Sequence, residues 1–203
     1  MITGIEYTRN TAIIGFDDGR RLTVRKKDTG LECARVGSDG DYEDVLNKVA
    51  SEQFGEGYEA ALTMLDFSAR TAKEIENKLL QKGYVKPVCE AVIEKLKQAR
   101  LIDDELLAQN ISYALENSGK GKFAIVRKLR SRGIDSQTTE NIIDNLSEEA
   151  QNEGALKEAN RLYKKYASLD RRDAKNKLSR ALATRGFTWD SIEYALERVF
   201  EDE

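Results

Sequence analysis

Two hydrophobic rhythms divide this chain. Over residues 1–27 the apolar side chains come in short runs. Ile2 to Thr8, Thr11 to Phe16 and Arg20 to Lys26 read as strands, with Asp18-Gly19 as a hairpin turn. From Tyr42 onward the period is helical. Val45, Leu46 and Val49 form one face, and Tyr58, Ala61, Leu62 and Leu65 resume an apolar stripe after Gly55 and Gly57, which are expected to punctuate or kink the path. A short helix is expected near Gly30–Val36, ahead of a loop at 37–41.

A single pattern recurs three times along the helical region, around Gly83, Gly133 and Gly186. Four residues before each glycine stands a leucine (Leu79, Leu129, Leu182). One before stands a base (Lys82, Arg132, Arg185), and one after a large apolar residue (Tyr84, Ile134, Phe187). Apolar residues follow nine, ten and thirteen positions on: Val92, Ile93 and Leu96; Ile142, Ile143 and Leu146; Ala195, Leu196 and Val199. A glycine closing a helical run supplies the left-handed residue of a Schellman stop, in which the leucine touches the apolar residue after the turn. The base sits on the negative end of the helix dipole. Each unit therefore reads as helix, stop, short turn, helix.

Start signals agree. Thr71 with Glu74 is a capping box, Pro87 falls in a first helical turn, and Asp103, Asp135 and Thr188 stand at expected N-caps. The third unit opens with a longer helix, about 147–168, broken at Asp170–Asp173. The acidic run Glu201-Asp202-Glu203 is expected to fray. The expected fold is mainly α: three tandem three-helix repeats in an elongated curved array, preceded by a small antiparallel β segment. The boundaries follow as 1–57 for the β segment and its linking helices, then 58–100, 101–147 and 148–203 for the repeats.

Composition narrows the chemistry. The 203 residues are 34% charged, 40% apolar and 7% aromatic. There is no apolar run of membrane-span length and no basic-then-apolar leader, so the expected compartment is the cytoplasm. The two cysteines, Cys33 and Cys89, form no CxxC pair and are expected as reduced thiols. Histidine is absent, which excludes His-based acid–base catalysis, a Ser-His-Asp triad and His-ligated zinc. Asp103-Asp104-Glu105 diverge around a helix and read as capping and dipole pairing rather than a metal site. No cofactor is implied.

Charge is uneven. Residues 1–60 carry a net −4, residues 61–134 a net +5, and residues 135–203 a net −4. Two basic stretches stand out. The first is Lys120, Lys122, Arg127, Lys128, Arg130 and Arg132, interleaved with Phe123, Ile125, Val126 and Leu129. The second is Arg161, Lys164 and Lys165, then Arg171, Arg172, Lys175, Lys177, Arg180 and Arg185. The ordinary reading of such runs is a solvated face pairing with nearby acids, and Glu148, Glu149, Glu153 and Glu158 are at hand. Taken jointly, and with Lys82 at the first corner, the stretches are candidates for contact with DNA phosphate or an acidic protein surface. Helix-turn-helix base readout fits poorly, because the helices after the three glycines carry Glu90, Glu94, Glu140, Asp144, Glu193 and Glu197. Stacking on single strands finds few aromatics, since Trp189 and Tyr113 are expected in the core.

Over about residues 58–200 the sequence resembles the RecX family of bacterial recombination regulators. The carrying stretches are Ser68-Ala69-Arg70-Thr71 with Glu74, Lys78-Leu79 through Lys82-Gly83-Tyr84, Leu101-Ile102-Asp103-Asp104 with Ala108, Gly119-Lys120 through Ile125, Leu129 and Arg132-Gly133-Ile134, and Leu182 with Arg185-Gly186-Phe187. The β-prone start resembles the family's longer members. The resemblance implies tandem three-helix repeats that are not enzymes. It implies binding to RecA along the groove of its filament on DNA, with inhibition of ATP hydrolysis, strand exchange and repressor self-cleavage. Some members also contact DNA directly, so the expected partners are the RecA filament and single- or double-stranded DNA, bound by a monomer. A nucleic-acid-binding repeat acting without RecA is the alternative.

Overall fold

A computed structural model describes residues 1–201 and divides into two compact units, residues 1–103 and the chain from Asp104 onward. The predicted acidic end at Asp202 and Glu203 lies outside the described residues.

The first unit opens with strands β1 (Ile2–Tyr7), β2 (Thr11–Phe16) and β3 (Arg21–Arg25), an antiparallel sheet in the order β1-β2-β3. Alternation puts Ala12, Ile14, Phe16, Leu22 and Val24 on one buried face. Gly19 turns β2 into β3 at a φ of 84°, as the Asp18-Gly19 signal predicts. Where a helix was expected near Gly30–Val36, the chain makes two 3-10 turns, Lys26–Gly30 and Glu32–Ala34. Neither has room for the apolar face that would sustain a longer helix.

Three helices follow: α1 (Tyr42–Phe67), α2 (Ala72–Gln81) and α3 (Lys86–Gln98). Gly55 and Gly57 do not interrupt α1, which runs unbroken through both. Gly57 instead marks a close approach, since a Cβ there would lie 3.1 Å from Val88 and 3.3 Å from Tyr84. Thr71 and Glu74 form the predicted capping box on α2, and Pro87 sits in the first turn of α3. The sheet and these helices share one core, in which Ile14, Val24, Val45, Val49, Ile75, Leu79, Val92 and Leu96 are buried.

The second unit holds α4 (Asp104–Asn117), α5 (Lys122–Ser131) and α6 (Ser136–Asp144), then α7 (Glu148–Tyr163), α8 (Arg171–Thr184) and α9 (Trp189–Glu201). The helix expected over 147–168 stops at Tyr163 and gives way to turns. The break expected at Asp170–Asp173 lies earlier, over residues 164–170, and ends at Asp170, which caps α8 by accepting from Arg172 N–H and Asp173 N–H. Ala108, Ile125, Leu129, Ile134 and Ile142 form the core of α4–α6. A larger set that includes Ala155, Ala159, Leu178, Leu182, Phe187, Ile192 and Leu196 forms that of α7–α9.

The three glycines end α2, α5 and α8 with φ of 87°, 75° and 89°. The amides of Tyr84, Ile134 and Phe187 donate to the carbonyls of Leu79, Leu129 and Leu182 at 3.1, 3.1 and 3.3 Å. These are the Schellman bonds that the leucine–glycine–apolar spacing predicts.

Candidate partner-binding surface

Two of the glycine corners are also sockets for other backbone. A Cβ on Gly83 would lie 2.7 Å from Arg25 N and Val24 C, so β3 rests directly on the α2–α3 turn. A Cβ on Gly186 would lie 2.3 Å from Ala124 N, where the start of α5 rests on the α8–α9 turn. There Gly121 N–H donates to Arg185 O at 3.1 Å and Phe123 N–H to Gly186 O at 2.9 Å. Helix spacing alone did not reveal this second duty.

Buried polar side chains reinforce both sockets. Gln53 is fully buried in α1. Its Nε2 donates to Asp28 Oδ2 at 2.6 Å and to Gly83 O at 3.1 Å, while Oε1 accepts from Val85 N–H at 2.7 Å. Asp28 also pairs with the Arg25 guanidinium at 2.6 Å, and Arg25 reaches Glu56 at 2.8 Å. In the second unit Gln151 Oε1 accepts from Lys122 N–H at 2.9 Å and its Nε2 donates to Glu116 at 3.0 Å.

These arrangements sort the candidate cations. Arg185 donates to the buried carboxylate of Glu158, which Arg161 also engages at 2.6 Å. The Arg161 bond, then that of Arg185, holds the Glu158 carboxyl below its ordinary range despite burial. Both arginines thus take the ion-pairing role weighed for these runs in the sequence. Arg171 donates to Phe200 O at 2.6 Å and lies over the Phe200 ring, tying the start of α8 to the end of α9. Arg132 is half-buried and engaged. Lys120 and Lys122 are half-buried, and Lys82 is exposed at the end of α2. Lys164, Lys165, Arg172, Lys177 and Arg180 are exposed around the start and outer face of α8.

Helix α5 is one-sided in charge. It contains no acidic residue; Ile125 and Leu129 are buried beneath it, and Arg127, Lys128 and Arg130 are exposed without an ion pair among the described residues.

The aromatic expectations fail. Tyr113 and Trp189 are each 70% exposed, and Phe123 is 53% exposed. The repeat carried a signal for two of them. Trp189 stands three places after its glycine, where the sister units have Lys86 and Ser136. Phe123 stands ten before its glycine, where they have Lys73 and Asn176. Positions that tolerate lysine, serine and asparagine face water. Tyr113 walls an open groove of about 710 Å³ between α4 and α7, floored by Gly119 and Gly154 and edged by charges of both signs.

Burial pushes the Cys89 thiol up to about 12, so it is not a nucleophile near neutral pH. No group of three His, Cys, Asp or Glu residues placed to hold a metal occurs among the described residues. No helix among them is long and apolar enough to cross a membrane.

The fold defines a class: a helical-repeat protein built from three-helix units that follow a small antiparallel sheet. Comparison with known proteins narrows it. Residues 58–96 match the RecX first three-helix domain, and residues 149–196 match the RecX third three-helix domain. Regulatory protein RecX of Streptococcus mutans is 35% identical over 199 residues, covering 97% of this chain and 76% of the relative. That of Bacillus subtilis is 29% identical over 166 residues, and the match spans 63% of its length. The crystal structure of RecX from Lactobacillus salivarius superposes with a TM-score of 0.68 at 29% identity, over 73% of this chain and 97% of that one. A second RecX structure shares the fold over the full chain, at a TM-score of 0.67 and 24% identity. The chain belongs to the RecX family.

Proposed function

We propose that this chain binds RecA and its filament on DNA in the bacterial cytoplasm. There it modulates RecA, mainly by inhibiting ATP hydrolysis, strand exchange and co-protease activity, without catalysing a reaction of its own. Membership of a family of regulatory proteins supports the role. The observation that carries the choice of surface is the acid-free outer face of α5, where Arg127, Lys128 and Arg130 stand exposed and unpaired among the described residues. The exposed cations of α8 extend the candidate surface, while Arg171 and Arg185 are held inside their own unit.

The deciding experiment titrates the protein into a RecA ATPase assay on single-stranded DNA. Inhibition at or below stoichiometric ratios is expected, and R127A/R130A should weaken it while leaving the circular dichroism spectrum unchanged. No inhibition, together with tight binding to naked DNA, would replace this reading with that of a nucleic-acid-binding repeat acting without RecA.

A further inference from the structure

The surface of α5 is more specific than a patch of positive charge. The helix buries Ile125 and Leu129. At 100° per residue, the point opposite those two falls beside Arg127, with Phe123 one turn before it and Arg130 close to one turn after. All three are exposed. A lone exposed apolar ring is ordinary on a protein surface; what marks Phe123 is its place in one stripe with two arginines, and the molecule contains its own control. The places of Phe123, Arg127 and Arg130 are held by Lys73, Asn77 and Leu80 in the first repeat, and by Asn176, Arg180 and Ala183 in the third. The repeat does not need an aromatic ring there. Nor does the ring seal the Gly186 socket, which is closed by backbone: Phe123 N–H donates to Gly186 O, and Ala124 covers the glycine.

A flat apolar ring followed at one-turn intervals by two guanidiniums suits a single-stranded nucleic acid. A base has a π-face for the ring, and its neighbouring phosphates offer acceptors spaced about one helical turn apart. Duplex DNA keeps its bases stacked and has no free face to offer. A protein partner would have to offer an apolar pocket for the ring beside acids for the arginines, and the variants below tell the two apart.

We propose that Phe123, Arg127 and Arg130 form a single-strand contact in which one base stacks on Phe123 and flanking phosphates pair with the two arginines. The inference rests on the filament-binding reading for its biological setting, since a RecA filament holds single-stranded DNA, but the contact itself needs no RecA.

The test therefore uses the full chain alone. Fluorescence anisotropy with a labelled oligothymidylate and with a duplex of equal length is read across a salt series. F123A should weaken oligothymidylate binding by about tenfold without changing the salt slope, because a stacked base is lost and no phosphate contact is. F123Y should restore it. R127Q/R130Q should lower the slope of log K against log salt by about 1.4, two phosphates at roughly 0.7 each on a single strand. Unchanged affinity in F123A, or an equal loss on duplex, overturns the proposal. So does R127Q/R130Q abolishing RecA ATPase inhibition while leaving oligothymidylate binding intact, which would make the stripe a protein contact. Loss of oligothymidylate binding with ATPase inhibition preserved would separate the two readings in the other direction.

Discussion

Gln53 and Gly83 lie 30 positions apart and meet through a buried hydrogen bond of 3.1 Å from the glutamine amide to the glycine carbonyl. The same side chain accepts from Val85 N–H at 2.7 Å, so one glutamine spans the turn between α2 and α3. Its bond to Asp28 ties that turn to the segment after β3. Sheet and first repeat are joined by polar contacts at the point where the glycine lets their backbones touch.

Replacing Gln53 should therefore cost more than its size suggests. In Q53A three buried groups, Gly83 O, Val85 N–H and Asp28, lose a partner, and the site has no access to water. A destabilisation of about 3 kcal/mol is expected in urea unfolding of the first unit. Q53L, which fills the volume but restores none of the bonds, should recover little. Recovery to wild-type stability in Q53L would mean that packing, not hydrogen bonding, holds the joint.

The glycine corners separate two effects that usually travel together. At Gly186 an alanine would be strained by the left-handed backbone and would also press its Cβ to 2.3 Å from Ala124 N. A loss of about 3 kcal/mol or more is expected. Arg100 closes α3 with a φ of 56°, and Leu101 N–H donates to Leu96 O at 2.9 Å, the same stop without the glycine. There R100G should stabilise by about 0.5–1 kcal/mol. Thermal melts of the two variants should move in opposite directions.

Periodicity showed the helices because an amphipathic helix must repeat its apolar face, and Leu79-Gly83-Tyr84 and its two copies showed the stops because few residues tolerate that backbone. It did not show what the corners touch. That Ala124 rests on Gly186, or Gln53 reaches Gly83, depends on residues brought together from distant stretches of the chain. The candidate cations were visible as a composition, but not their sorting. Arg185 and Arg130 look alike in sequence. One is paired with a buried carboxylate and the other faces solvent, and only the position of Glu158 decides which. Treating an aromatic as core by default misjudges Trp189, although Lys86 and Ser136 at the matching places already mark a wet position.

The Glu158 cluster gives the second unit a pH signature. Its arginine partners lower the folded pKa of Glu158 from an ordinary 4.5. The folded state thus holds fewer protons than the unfolded one in that range. The pairing stabilises the unit fully above about pH 4.5 and is lost as pH falls through the lowered value. E158Q should cost about 2 kcal/mol at neutral pH, less than a fully buried pair, because Arg161 remains exposed. The variant should also flatten the loss of stability below pH 4.5. An unchanged acid limb in E158Q would assign that dependence to other carboxylates.

The middle repeat should be the least protected. Five buried apolar side chains make its core, and beside them the hydroxyls of Ser112 and Thr139 are buried with no hydrogen-bond partner among the described residues. The place of Thr139, six after its glycine, is held by Cys89 in the first repeat and Ile192 in the third, both buried. An unmet hydroxyl costs about 1–3 kcal/mol, and removing it at constant shape returns some of that. T139V should therefore stabilise α4–α6 by about 1 kcal/mol. In native-state hydrogen exchange the amides of Ile125 and Leu129 should open more readily than those of Leu178 and Leu182, and T139V should narrow the gap. A destabilised T139V would show that the hydroxyl is satisfied in solution, and equal protection of the two repeats would show that core size does not govern their opening.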